Sequence, residues 1–183
     1  MANPFFITVI TGLCGIAGSA TAIVAVRYVE RRYILIGGAA GQGISMFIFA
    51  IVSTVAPNSV AASRCLSAFV SLFIFIYGAT WGAVIKVLLG ELSSTALRSR
   101  TIALAMCCSW LSDTLIVCGI PYLLSPDYAN LGGKVGFIFG GCEVLALLWA
   151  ILFVPETKDR TLEEIDEMFM NVSLRSTWPP SVY

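Results

Sequence analysis

Ile34-Leu-Ile-Gly-Gly-Ala-Ala-Gly-Gln-Gly-Ile-Ser-Met-Phe-Ile-Phe-Ala-Ile-Val-Ser-Thr-Val-Ala56 contains no charged side chain and stops at the turn signal Pro57-Asn58. An α-helix needs roughly 20 mainly apolar residues to cross the hydrocarbon core of a bilayer, so this stretch is long enough for one crossing. The same pattern recurs on both sides of it. Residues 5–26 are uncharged and end at the basic cluster Arg27, Arg31 and Arg32. Residues 65–89 hold one charge, Lys86, residues 101–124 hold Asp113, and residues 135–154 hold Glu143 before Pro155. The first segment has no Lys or Arg ahead of it and is too long for a signal peptide, so it reads as a span. The predicted fold class is an all-α transmembrane bundle of five membrane-spanning helices in residues 1–156.

Composition agrees. The 183 residues are 58% hydrophobic and 12% charged, with mean hydropathy +0.89, whereas soluble domains are about 45–50% apolar and about a quarter charged. Eleven basic and eleven acidic residues cancel, which leaves no basic footprint for nucleic acid. With no histidine, no metal-ligand spacing and no paired catalytic acids, neither a metal site nor an enzyme is expected, and no cofactor is implied. Orientation follows the positive-inside rule. Arg27, Arg31, Arg32, Arg98, Arg100, Lys158, Arg160 and Arg175 fall on one side, and only Arg64 and Lys134 on the other. This predicts the N-terminus outside and the C-terminus in the cytoplasm.

Three further features bear on packing and chemistry. Glycines at helical spacing (Gly12, Gly15 and Gly18; Gly37 and Gly41; Gly136 and Gly140) read as contacts where helices approach closely, or as points where a helix bends. Cys14, Cys65, Cys107, Cys108, Cys118 and Cys142 read as small apolar side chains in helix interfaces. Intramembrane charges cost about 2.5–3.5 kcal/mol at a helix centre, so they normally face a partner or a wet cavity. Lys86 is near enough to its helix end to snorkel; Asp113 is too deep and too short to do so. Glu143 suits packing against a polar neighbour as well as a functional role. Beyond Pro155, Thr161 and Glu164 form a capping box, and Leu162, Ile165 and Phe169 share one face. A short cytoplasmic amphipathic helix over 157–170 and a disordered tail over 171–183 are therefore expected.

Four stretches carry a family resemblance. Val26-Arg-Tyr-Val-Glu-Arg-Arg32 resembles an acidic-x-x-Gly-Arg-Arg loop. Trp81-Gly-Ala-Val through Gly90-Glu91, then Arg98, is similar to a helix with a Glu-x6-Arg end. Ser109-Trp110, Gly119-Ile-Pro-Tyr122 and Asn130-Leu-Gly-Gly133 look like the following helix and its loop. Pro155-Glu-Thr-Lys-Asp-Arg160 with Leu162-Glu-Glu-Ile-Asp166 resembles a C-terminal motif. Together they resemble the sugar porter family of the major facilitator superfamily, particularly fungal hexose and maltose-type permeases.

The resemblance implies that the five spans correspond to helices 8–12 of a twelve-helix fold. The first half, the seventh helix with its sugar-binding glutamines and the first-helix acid of proton symporters have no counterpart here. It implies a carbohydrate transmembrane transporter, proton-coupled when complete, in the plasma membrane. The partners it implies are the lipid bilayer, a sugar substrate, protons and other membrane helices. Substrate-lining positions would be Trp110, Ser109 in place of an Asn, Lys86 in place of an aromatic, and Asp113 in place of a further Asn. Arg31, Arg32, Glu91, Arg98, Glu156 and Arg160 would form ion pairs closing an inner gate. Arg27 stands at an acidic position, and Glu30 and Asp159 stand at glycine positions. Alternating access rocks one repeat against another around a midplane site, so five helices by themselves are not expected to transport. The alternative function is a non-transporting membrane partner or regulator of full-length sugar permeases.

Overall fold

The computed structural model describes residues 4–55, 60–93, 97–125, 128 and 131–154. These residues form α1 (Pro4–Tyr28), α2 (Arg31–Val55), α3 (Val60–Ala79), α4 (Trp81–Leu92), α5 (Arg98–Leu124) and α6 (Val135–Phe153), with a 3₁₀ turn at Gly132–Lys134. Five stretches are long and apolar enough to cross a membrane: Phe5–Tyr28, Arg31–Val55, Ala61–Gly90, Arg98–Leu124 and Gly132–Phe153. The third contains both α3 and α4, because the helix breaks at Thr80. The expected helix over 157–170 and tail over 171–183 lie outside the described residues.

Charge and glycine set the ends of the elements. The apolar run of α1 finishes at Arg27, and Val29 N–H donates to the Ala25 carbonyl at 2.8 Å to close the last turn. Two residues later α2 has begun, and Ile34 N–H donates to the Glu30 carbonyl at 3.2 Å. A connection this short makes α1 and α2 antiparallel neighbours in sequence. Between α5 and α6, Tyr122 and Tyr128 meet edge-on at 5.2 Å and Leu131 N–H donates to the Leu123 carbonyl at 3.0 Å. Gly132 has φ +49° there, a left-handed conformation that favours glycine.

The main packing is α1 on α3, and α2 between α3 and α6. Lipid tails are as apolar as the side chains, so helices are held by close packing rather than by the hydrophobic effect. At the α1–α3 crossing, a Cβ on Gly18 would run into the Phe75 carbonyl oxygen, and one on Gly78 would lie 3.0 Å from the Gly15 carbonyl oxygen. Gly136 and Gly140 do the same for α6, against Ala50 and the Phe47 ring of α2. The expected glycine contacts are therefore found at Gly15, Gly18, Gly41, Gly136 and Gly140. Gly12 and Gly37 face open space, and Gly38 makes the contact beside Gly37.

α2 is the central helix, burying Ile34, Leu35, Gly38, Ala39, Gln42, Gly43, Ser45 and Ala50. α5 is its opposite: it buries no residue, and its principal neighbour is α4. Three of its hydroxyls bond back within the chain: Thr101 donates to the Leu97 carbonyl at 3.2 Å, Ser112 to the Cys108 carbonyl at 2.9 Å and Thr114 to the Trp110 carbonyl at 2.8 Å. Such back-bonding lets Ser and Thr sit on an apolar face without an unmet donor. The cysteines differ from the expectation. Five are exposed and Cys14 alone is partly buried, because Cys107, Cys108 and Cys118 ride on the uncovered α5.

Candidate functional site

One apolar cluster gathers several helix ends. Ile34 and Leu35 at the start of α2, Val84 and Leu88 of α4, and Ala150 and Val154 at the end of α6 are buried together. Ala25 and Val26 from the end of α1 pack against them. The charged positions just beyond these residues are thereby brought to one end of the bundle. Arg27, Glu30, Arg31 and Arg32 lie at the α1–α2 junction, and Glu91 lies one turn past Leu88 on α4. Arg98 opens α5.

Arg32 shows what this convergence does. Its Nη2 donates to the carbonyl of Ile151 in the last turn of α6, at 2.7 Å. The last carbonyls of a helix lack intrahelical donors and carry the negative end of the helix dipole, so a guanidinium there is favourable. This bond to a backbone carbonyl stands beside the ion-pair role that the sequence suggests for Arg32, whose expected acidic partners Glu91 and Glu156 have side chains outside the described residues. Arg31 is half-buried at the same junction. Arg98 encloses its Nε and Nη2, which have no hydrogen-bond partner among the described residues. The side chain of Glu91, and all of Glu156 and Arg160, lie outside what the structure describes.

The four substrate-lining candidates are placed differently. Lys86 is exposed on α4, and Ser109, Trp110 and Asp113 are exposed on α5. Trp110 is 67% exposed, which leaves its ring free to meet another surface. None of the four lines the cavity of about 560 Å³ between α1 and α3, whose wall includes Ile7, Cys14, Arg64, Ser71 and Phe75. Three of the four candidates therefore lie on α5 and one on α4, each of them uncovered. Glu143 sits on α6 against Gly43 of α2, where a Cβ on that glycine would lie 3.5 Å from its own. Sequence reasoning passed over Gln42, which is 1% exposed and donates from Nε2 to Thr80 Oγ1 at 3.3 Å. A lone amide inside an uncharged span was the available signal.

Comparison with known proteins now decides the family. The family model described as "Sugar (and other) transporter" matches residues 1–169. The chain belongs to the sugar transporter family. Its members are membrane transporters of the major facilitator superfamily rather than enzymes. Among curated relatives, a major facilitator-type transporter, ecdD of Aspergillus rugulosus, is 31% identical over 97% of this chain and 36% of its own. The high glucose sensor RGT2 of Saccharomyces cerevisiae is 32% identical over 96% of this chain and 24% of its own. The hexose transporter HXT8 of the same yeast is 30% identical over 99% and 33%.

Solved structures agree on the architecture. A double-tryptophan variant of XylE superposes with TM-score 0.80 and 28% identity, over 90% of this chain and 34% of that one. A structure described as the proton:xylose symporter XylE bound to 6-bromo-6-deoxy-D-glucose gives TM-score 0.77 and 29% identity, over 90% and 34%. This sugar transporter family chain spans about a third of the length of most of these proteins. It is a multi-pass integral membrane protein with the helical arrangement of the corresponding part of XylE.

Proposed function

We propose that the chain supplies one wall of a sugar pathway, as the part of a major facilitator permease equivalent to helices 8–12. The observation that carries this reading is the exposure of α5, which bears Ser109, Trp110 and Asp113 yet buries none of its residues. A sugar is held by an aromatic face and several hydroxyl-directed polar groups, and Trp110 with Ser109 and Asp113 provides both kinds on one uncovered helix. A second wall is needed to enclose the sugar. Lys86 adds a cation where stacking is expected in the family, which favours hydrogen bonding to hydroxyls over ring contact. The ends gathered around Ile34, Leu88 and Val154 act as the inner gate, with Arg31, Arg32, Glu91, Arg98, Glu156 and Arg160 in the closing network. Coupling to protons belongs to the assembled carrier, in keeping with the relative described as a proton symporter. The N-terminus faces outward and the C-terminus the cytoplasm of the plasma membrane.

The test is a fusion of this chain to the first seven helices of a yeast hexose permease, expressed in a transporter-null yeast. Saturable glucose or maltose uptake that is lost with Trp110→Ala, at unchanged membrane insertion, supports the proposal. Uptake indifferent to Trp110→Ala and Asp113→Ala contradicts it. A second reading, a non-transporting membrane regulator, is favoured by the similarity to a protein described as a high glucose sensor. Failure of uptake in the fusion together with a glucose-dependent change in permease expression selects that reading.

A further inference from the structure

The helix break between α3 and α4 has no proline to cause it. Nothing from Val60 to Leu92 is proline, although sharp breaks usually coincide with proline, a Gly/Ser pair, a π-bulge or an inserted group. Thr80 occupies the break with φ −124° and ψ −92°, outside the helical region. Threonine at such a position ordinarily caps the helix that follows. Here it makes no side-chain cap. Its hydroxyl donates backward, to the carbonyl of Ile76 at 2.7 Å.

The other face of Thr80 is turned to α2. A threonine hydroxyl has one proton, and Ile76 has taken it, so what remains is a lone pair. The buried Gln42 meets that lone pair with its amide nitrogen, at 3.3 Å. The orientation of the amide follows from the same count: its oxygen would face another acceptor. One residue on, Trp81 Nε1 donates to the carbonyl of Leu35 at 3.0 Å. Between the two bonds lies Gly38, where any Cβ would overlap the Thr80 side chain. Leu35, Gly38 and Gln42 are spaced i, i+3, i+7 and form one stripe along α2. All three meet the break.

We infer that Gln42 is a positioning residue: with Leu35 and Gly38 it forms a seat on α2 that holds the α3–α4 break and thereby fixes the direction of α4, with Lys86 and Glu91 on it. Gly78 and Gly82 weaken the helix on either side of Thr80, but glycine alone does not bar a continuous helix, so the seat decides where it turns. The tie acts within the described fold and stands independently of whether the assembled carrier transports sugar.

The test uses the full chain in lipid nanodiscs, labelled with 5-fluorotryptophan. The Trp81 resonance is assigned by its loss in Trp81→Phe, and minor conformers are read by 19F saturation transfer. Interhelical hydrogen bonds in membranes average about 0.6 kcal/mol, which converts to a population change of about threefold. Gln42→Met keeps the side-chain length and removes the donor; Thr80→Val keeps the shape and removes the acceptor, together with the bond to the Ile76 carbonyl. Each is expected to raise the ratio of displaced to docked Trp81 about threefold, and the double variant to raise it no further than either alone. Thr80→Ser retains the hydroxyl and is expected to leave the spectrum as in the parent. The inference is overturned by a Trp81 resonance unchanged in Gln42→Met or in Thr80→Val, by additive effects in the double variant, or by a change in Thr80→Ser as large as in Thr80→Val. If Gln42→Met does not fold, Gln42→Leu takes its place in the single and double variants.

Discussion

Gly18→Ala is expected to loosen the α1–α3 seam, and its size can be worked from two opposing terms. Alanine is the better helix former, favouring the variant by about 0.5–1 kcal/mol in a helix interior. Against this, the new Cβ overlaps the Phe75 carbonyl oxygen and comes within 3.1 Å of the Ala79 nitrogen. Both obstacles are backbone, so no side chain can rotate away and the two helices must separate. Inserting a carbon into such a contact typically costs about 1–3 kcal/mol. Gly12→Ala gains the same propensity and meets nothing within 4 Å, so the difference between the variants isolates the overlap. The assay is thermal unfolding of both variants in one detergent, with α1–α3 disulfide trapping as a second measure of separation. At about 2–4 °C per kcal/mol for a chain of this size, Gly18→Ala should melt several degrees below Gly12→Ala. Equal midpoints would refute the packing argument.

Other outcomes are expected from single sites. Arg32→Ala removes the bond to the Ile151 carbonyl and is expected to destabilise the chain by about 1 kcal/mol, less at high salt because the contact is exposed, as read by thermal unfolding in low and high salt. Trp110→Ala removes a side chain that is 67% exposed, so the chain's own melting midpoint should move by no more than the equivalent of about 0.5 kcal/mol, whatever it does to sugar binding. With the native cysteines replaced, a cysteine at Tyr128 should react with an impermeant thiol reagent on intact cells and one at Ser173 should not; the reverse pattern contradicts the proposed orientation.

The spans were legible in the sequence because a bilayer demands long uncharged runs, and the stretches around Ala56, Val26 and Leu124 end at prolines or charges. Family membership was legible in the Arg31-Arg32 pair and the Pro155-Glu156 motif, whose spacing survives although Arg27, Glu30 and Asp159 depart from the family's residue types. The break at Thr80 was not legible. No proline or charge marks it, only the flanking Gly78 and Gly82, and the α2 stripe that meets it is far away in sequence. Nor was the isolation of α5, since hydropathy cannot separate a lipid-facing helix from one that packs against protein. The bond from Arg32 to the Ile151 carbonyl was not legible either, because a helix C-terminus offers carbonyls that residue-type counting does not see. The candidate sugar residues were legible as types, but their exposure depends on which helices surround α4 and α5.

Uptake of labelled glucose and maltose by this chain alone, in a transporter-null yeast with insertion verified, tests the one-wall reading most directly. A midplane site needs walls on both sides, and Trp110, Ser109, Lys86 and Asp113 are uncovered on the five-helix bundle. No saturable uptake above the empty-vector rate is expected. Saturable uptake abolished by Trp110→Ala would show that five helices enclose a working site, and the reading of the chain as one wall would be wrong.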